Sequence, residues 1–140
     1  MRRILQLQAL GALGTRPNLD AGLPGALEAF DELVRNSDSA VLVVVHDGEV
    51  IATVQLMCFR LLQHGGGRCG ELESLQVAPS WRGRGIGSQL LTAAVALARE
   101  LGCSRVQCTL EVEREDAHRF CERHGFTASH RGFTRELPPA

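Results

Sequence analysis

The sequence predicts an α/β domain (an α+β mixed sheet) whose central, mostly antiparallel sheet is flanked by helices. Two observations support this prediction. Asp47-Gly48 joins two apolar runs, a pattern typical of an antiparallel hairpin. Farther along, a Leu- and Ala-rich helix pattern separates two strand patterns, and strands on either side of a crossover helix are parallel. With 140 residues, the chain is expected to form one domain over 1–140.

Apolar periodicity and turn residues define the elements in chain order. The predicted helices cover 4–13, 25–34, 86–101 and 117–124. The predicted strands cover 40–45, 50–61, 70–77, 106–112, 127–130 and 132–137. A turn-rich loop is expected over 18–25, and Gly102 and Gly125 stand where helix ends favour glycine. The pattern is therefore an antiparallel meander, a β-α-β crossover and a final α-β unit.

Composition argues against several classes of function. The 15 basic residues are all arginine and 16 acidic residues balance them, whereas nucleic-acid-binding modules usually carry a basic excess. No apolar run reaches the ~20 residues that span a bilayer, so no membrane partner is expected. The five cysteines form no C-x-x-C pair and have no zinc spacing, which predicts no metal site and a reducing, cytoplasmic location.

The functional prediction depends on residues 76–88. A strand pattern reaches Pro79, which lacks an N–H and ends the strand, and a glycine-rich turn then leads into a helix. Glycine backbone and the positive end of a helix favour an anion such as phosphate. We therefore predict a diphosphate site, called the cradle below, formed by Arg82, Gly83, Arg84, Gly85, Ile86, Gly87 and Ser88. The alternative is a tight strand-to-helix turn without a ligand.

Two common phosphate-binding motifs do not fit the cradle. The dinucleotide fingerprint needs G-x-G-x-x-G and an acidic residue about 20 positions later. Here the glycines follow G-x-G-x-G, and the next strand reads Arg105-Val106-Gln107-Cys108. The nucleoside-triphosphate loop needs a lysine, and the chain contains none.

The cradle instead resembles the Q/R-x-x-G-x-G/A acyl-CoA signature of the GNAT superfamily of N-acetyltransferases, with Arg82, Gly85 and Gly87 at its fixed positions. A second block, residues 116–126, resembles the later motif A-x-x-x-Y-x-x-x-G-F of that superfamily, which it matches at Ala117 and at Gly125-Phe126. The tail over 128–137 resembles a branch that includes the aminoalkylphosphonate N-acetyltransferases. The resemblance covers about residues 42–137.

This resemblance implies a fold, a co-substrate and an acceptor. In the GNAT fold two neighbouring parallel strands splay apart, and the pantetheine arm of acetyl-CoA lies in the gap. The arm is then expected along Leu75, Gln76 and Val77, with the Leu75 N–H as donor to the thioester carbonyl. The implied acceptor is a small primary amine, attacked directly in a ternary complex.

Three departures from the family pattern bear on activity. The tyrosine that protonates the leaving thiolate is replaced by Cys121, and the chain contains no tyrosine. Arg114 stands where an asparagine is common. The first strand is missing or reduced to Arg2-Arg3-Ile4, so the chain is expected to begin in the first helix. A missing strand leaves a sheet edge that a second copy could complete, which makes a homodimer a hypothesis.

Two carboxylates are candidates for the base that deprotonates the amine. Glu71 and Glu73 share a face with Leu75 and Val77 under strict alternation, although a bulge beside an active site would break that parity. The resemblance favours Glu71, with Glu73 second. The alternative is that both side chains only face solvent on a sheet edge.

Cys121 has three possible roles. A thiol can protonate a leaving thiolate of similar basicity, but sulfur is a weak hydrogen-bond donor. As a thiolate it would instead accept the acyl group covalently. The third role is that of a small buried hydrophobe. Loss of the tyrosine also supports a rival function, a non-catalytic acyl-CoA-binding or regulatory module.

Overall fold

The computed structural model describes residues 1–9 and 19–138. The helices are α1 (Arg2–Ala9), α2 (Leu19–Arg35), α3 (Ile86–Glu100) and α4 (Glu115–Arg123). The strands are β1 (Ser39–His46), β2 (Glu49–Arg60), β3 (Arg68–Val77) and β4 (Cys103–Cys108), and two 3₁₀ turns cover His64–Gly66 and Pro79–Trp81. No helix in these described ranges is long and apolar enough to cross a membrane.

The chain divides into two compact units, Met1–Cys108 and Thr109–Ala140. The first unit contains the four strands and α1 to α3, and the second contains α4. The expectation of one domain over 1–140 stays a prediction.

The sheet has the predicted mixed topology, with strand order β1-β2-β3-β4. The first three strands form an antiparallel meander, and β3 and β4 are parallel because α3 crosses between them. In the β1–β2 turn both Asp47 (φ 48°) and Gly48 (φ 78°) are left-handed. That combination belongs to a type I′ hairpin, whose twist matches the flanking strands.

Helix α3 packs its apolar stripe on the sheet. Leu90, Leu91, Ala94 and Ala98 are buried there, and burying one leucine side chain contributes about 1.5–3 kcal/mol. Gly70 of β3 permits the close approach, because a Cβ atom there would lie 3.2 Å from Leu56 Cδ1 and 3.3 Å from Ala98 Cβ. This packing fixes the height of α3 above β3. Gly102 (φ 81°) ends the helix region as predicted, with its N–H donating to Arg99 O.

Helices α1 and α2 contact β1 to β3, and Ile4 and Leu7 of α1 are buried. Helix α1 begins at Arg2, two residues before its predicted start at Ile4, and its predicted continuation over 10–13 lies outside the described residues. The loop predicted over 18–25 is wrong from Leu19 onward, since α2 includes Pro24. A proline removes one backbone hydrogen bond but keeps a helical φ, so the amphipathic segment after it can extend toward the N-terminus.

The two predicted closing strands, 127–130 and 132–137, are wrong. The described residues of this stretch form no strand, and Phe133 and Leu137 are 92% and 79% exposed. The strand predicted over 106–112 also ends early, at Cys108, and Val112 is 75% exposed. Alternating apolar residues form a strand only when a neighbour completes the ladder, and here Ser129 N–H instead makes a local bond to Thr127 O.

Candidate functional site

The parallel ladder between β3 and β4 is short. It runs from Arg68 opposite Cys103 to Leu72 opposite Cys108. Strand β3 continues for five more residues, to Val77, and over that length its register is with β2 alone. No described strand pairs with the other edge of residues 73–77, so that edge can accept an extended, amide-bearing ligand arm. The arrangement agrees with the predicted splayed pair.

A β-bulge interrupts β3 at this point. Glu73 lies opposite Gln55 of β2, whereas Gln76 lies opposite Thr53, so two residues of β3 face one residue of β2. Ser74, inside the bulge, has a φ of 53°, which is rare for a residue with a side chain. Bulges of this kind occur often beside active sites, where they redirect side chains.

The bulge changes which residues share a face. Side chains of directly opposed residues lie on the same face of a sheet, so Gln76 falls on the face of Glu71 and Glu73. The strict alternation that grouped Leu75 and Val77 with the two carboxylates is therefore wrong beyond Glu73. The structure instead contains a bulge next to the candidate bases, which is the alternative to strict alternation.

The two carboxylates lie on either side of the end of the parallel ladder. Glu71 is opposite Met57 of β2 and Gln107 of β4, and Glu73 is the first residue beyond the last pair. Both side chains are half-buried. The sheet-edge alternative does not hold for Glu71, because it has a paired strand on each side.

A polar cluster that sequence reasoning missed lies on the face of Glu71. The Arg105 guanidinium donates to Gln107 Oε1 at 2.6 Å, and its Nε lies 3.4 Å from Cys69 Sγ. Cys69 is two residues before Glu71 on β3, and Gln107 of β4 is opposite Glu71 in the parallel β3–β4 ladder. These bonds hold one positive charge on the side of the sheet that carries the candidate bases. The sequence pattern predicted strands at both places, but it did not specify which residues of β3 and β4 lie opposite each other.

Two of the three cradle glycines have left-handed backbone, whereas Gly87 lies inside α3. Gly83 (φ 73°) and Gly85 (φ 76°) are left-handed, and nothing lies within 4 Å of the position that a Cβ atom would occupy at either. Gly85 is the N-cap of α3, and no side chain caps the helix there. The first bond within the helix runs from Gln89 N–H to Gly85 O at 3.0 Å. The N–H groups of the first turn are thus left for an anion, and an open, dipole-assisted turn fits a diphosphate.

The two cradle arginines make different contacts. Arg82 Nε donates to Val77 O at 3.0 Å, which ties the turn to the end of β3. Arg84 Cζ lies 4.8 Å from the centroid of the Trp81 ring. The centroid of the Trp81 ring also lies 4.4 Å from that of the His46 ring at the end of β1.

Cys121 lies in α4, in the second unit, whereas Glu71, Glu73 and the cradle lie in the first. The Cys121 side chain is half-buried. Its carbonyl accepts a bond from Phe126 N–H at 3.1 Å, and Gly125 (φ 84°) donates to Glu122 O at 3.1 Å. This is a Schellman motif, which explains the Gly-Phe pair of the second block.

The histidines of α4 and its flank make local contacts. His118 Nε2 lies 2.9 Å from Glu111 O, and His124 Nδ1 lies 2.7 Å from Phe120 O. Within the described residues, no three metal-ligating side chains are grouped so that they could hold an ion.

Comparison with known proteins gives concordant matches. The chain is 40% identical over 96 residues to an aminoalkylphosphonate N-acetyltransferase of Salmonella typhimurium, a match that covers 68% of this chain and 61% of that protein. It is 33% identical over 110 residues to a probable glucosamine 6-phosphate N-acetyltransferase of Oryza sativa, covering 74% of this chain and 65% of the relative. The matches thus span less than two thirds of either relative.

Among solved structures, a transcriptional regulator from Bacillus halodurans superimposes with a TM-score of 0.86 at 29% identity, covering 97% of this chain and 94% of that one. The acetyltransferase (GNAT) family matches residues 7–126, a range that includes the sheet, the cradle and α4. The chain belongs to the acetyltransferase (GNAT) family.

Proposed function

We propose that this protein is an N-acetyltransferase that transfers the acetyl group of acetyl-CoA to a primary amine of a small molecule. One observation carries the proposal: the parallel ladder ends at Leu72 and Cys108, and the part of β3 beyond it leads, through the Pro79–Trp81 turn, to a glycine-lined helix start that no side chain caps. In acetyl-CoA an extended pantetheine arm is joined to a diphosphate. The arm would lie along the end of β3 and the diphosphate at the start of α3.

Acetyl-CoA would supply an acyl group activated as a thioester. The Arg82 guanidinium and the N–H groups at the start of α3 would hold the diphosphate, because charge-assisted bonds and the helix dipole both favour it. Residues 75–77 would align the pantetheine arm. The Leu75 N–H, next to the bulge at Ser74, would donate to the carbonyl oxygen that becomes negative during attack.

Two further groups would move protons. Glu71 takes a proton from the acceptor ammonium through a water, with Glu73 as the second candidate. Cys121 gives its Sγ proton to the departing thiolate, so the amine nitrogen attacks without an acyl-enzyme. Positioning of the two substrates is expected to be the largest contribution, because holding reactants together supplies about 7–11 kcal/mol.

The acceptor, the assembly and the location belong to the same proposal. The two curated relatives are named for small primary amines, an aminoalkylphosphonate and glucosamine 6-phosphate, which supports a small-molecule amine here as well. None of the five cysteines, all of which lie in the described residues, forms a disulfide, which is compatible with the proposed cytoplasmic location. β1 is the outer strand of the described sheet, which supports a homodimer formed along that edge.

A second candidate is a non-catalytic acyl-CoA-binding module. Cys121 in place of the family tyrosine favours it, and so does the similarity to a protein described as a transcriptional regulator. The two candidates differ in turnover. An enzyme releases CoA faster when a suitable amine is added, and a binding module does not.

Calorimetric titration with acetyl-CoA tests the proposal, on the wild type and on a double variant with Arg82→Ala and Arg84→Ala. Micromolar binding that the double variant loses supports the cradle, and a screen of amines for CoA release then separates the two candidates. Absence of binding to folded wild-type protein contradicts the proposal.

A further inference from the structure

The side chain of Arg84, in the cradle, contacts Trp81, and Trp81 in turn contacts His46 at the β1–β2 hairpin. The Trp81 ring contacts the His46 ring, with centroids 4.4 Å apart and planes at 56°, and Arg84 Cζ lies 4.8 Å from the same Trp81 ring. His46 ends β1 and its Nε2 lies 3.3 Å from Asp47 Oδ2 in the hairpin turn. The hairpin between β1 and β2 is thereby brought against the turn that precedes α3.

Backbone hydrogen bonds fix the position of Trp81. Ala78 N–H donates to Ile51 O of β2 at 2.8 Å, and Trp81 N–H donates to Ala78 O at 2.8 Å. Arg82 N–H then donates to Pro79 O at 3.3 Å, which closes the 3₁₀ turn that contains Trp81. The ring is half-buried, whereas the Arg84 side chain is exposed. A fixed aromatic surface is therefore presented to a long and otherwise mobile side chain.

The two cradle arginines differ in what holds them. The Nε of Arg82 is already used in its bond to the Val77 carbonyl. For Arg84, the ring of Trp81 is the partner found within the described residues, so all of its N–H donors face no protein acceptor there. A guanidinium held over an aromatic face has its N–H donors at the edge of its own plane, where they are available to an anion.

We propose that Trp81, supported by His46, is a positioning residue that holds the Arg84 guanidinium ready for the diphosphate of acetyl-CoA. This inference rests on the proposed function. Ordering a free arginine side chain on binding costs conformational entropy, and a side chain already held in its bound orientation avoids part of that cost. Trp81 would then affect how tightly the co-substrate binds and leave the chemical step unchanged.

A pair of substitutions separates positioning from packing. Trp81→Phe keeps an aromatic face, and Trp81→Leu fills the site with an apolar side chain that has none. We expect Trp81→Leu to raise the Kd and the KM for acetyl-CoA about two- to fivefold, with kcat and Tm close to those of Trp81→Phe. Trp81→Phe should stay near the wild type. Equal affinities of the two variants, or a matching loss in kcat or Tm, would overturn the positioning role.

A double-mutant cycle with Arg84→Ala completes the test. If Trp81 acts through Arg84, the variant Trp81→Leu weakens binding in the wild type and has no further effect once Arg84 is alanine. Additive losses would show that Trp81 acts independently and would contradict the inference. An Arg84→Ala variant that binds as tightly as the wild type would do the same. Failure of the wild type to bind acetyl-CoA would instead overturn the proposed function itself, so the two failures are distinguishable.

Discussion

Leu72 of β3 and Cys108 of β4 are the last pair of the parallel ladder in the described residues, and Glu73 is the next residue along β3. The two candidate bases thus differ in their surroundings, although they share a face. Glu71 lies within a paired region and Glu73 lies at its end. This difference gives the carboxylates distinct expected effects.

For Glu71→Gln we expect kcat to fall about 10²- to 10⁴-fold with little change in the KM for acetyl-CoA, because a general base contributes to the chemical step. Glu73→Gln is the matched control, with the same change of charge two residues away on the same face, and should cost less. Steady-state CoA release over a range of pH measures both. A larger loss for Glu73→Gln would reverse the assignment.

The cradle predicts that Gly85→Glu loses acetyl-CoA binding while the protein stays folded. A glutamate there places a carboxylate in the anion site, and the left-handed φ of 76° adds local strain. Gly66→Glu is a matched control, since Gly66 is also left-handed (φ 77°) with open space around it but lies in another loop. Calorimetry with circular dichroism measures binding and folding together. Unchanged affinity of Gly85→Glu would contradict the cradle.

Cys121 is predicted to act as an acid and to form no covalent acyl-enzyme. Cys121→Ala should lower kcat without changing the affinity for acetyl-CoA. Cys121→Tyr should keep a kcat well above that of Cys121→Ala, because tyrosine is the usual acid at this position of the family. Intact-protein mass spectrometry after mixing with acetyl-CoA, without an amine, checks the covalent alternative. A mass increase of one acetyl group that Cys121→Ala abolishes would identify Cys121 as a nucleophile.

The alkaline stability of the fold should report Cys58. Burial, followed by a hydrogen bond with Cys103, raises the pKa of the Cys58 thiol from 9.0 to about 11. The unfolded chain then loses this proton first, so the contribution is complete below pH 9 and is lost as the pH rises toward 11. Urea unfolding from pH 8 to 11 should show the decline, and Cys58→Ala should flatten it.

Gly70→Ala should destabilise the protein by about 1–3 kcal/mol, because its Cβ would press on Leu56 and Ala98 in a packed interface. Gly25→Ala is the control. Gly25 lies in α2 with nothing within 4 Å of its Cβ position, so the same substitution should be neutral or stabilise by about 0.5–1 kcal/mol. Urea denaturation gives both values. Equal effects would mean that α3 does not press on Gly70.

Features with a local cause were predictable from the sequence. The two-residue turn at Asp47-Gly48 needs left-handed backbone, Gly85 precedes the first turn of α3, and the α3 stripe repeats at the helical period. The hairpin, the glycine turn before α3 and the crossover were therefore predictable, whereas the diphosphate site stays a prediction. The bulge at Ser74 has no such signature, since serine does not demand a positive φ. The Trp81 contact with His46 was equally hidden, because two turns distant in sequence make it. The prediction of two closing strands was wrong because alternation indicates which side chains share a face but does not specify a neighbouring strand to pair with.

The Schellman motif that ends α4 separates two roles of residue 121. Its carbonyl, a group that every amino acid carries, accepts the bond that closes the helix, while only the side chain would take part in chemistry. An exchange between tyrosine and cysteine therefore leaves the helix terminus intact. The proposed proton donor can therefore be exchanged by a single substitution while the hydrogen bonds that end α4 are kept.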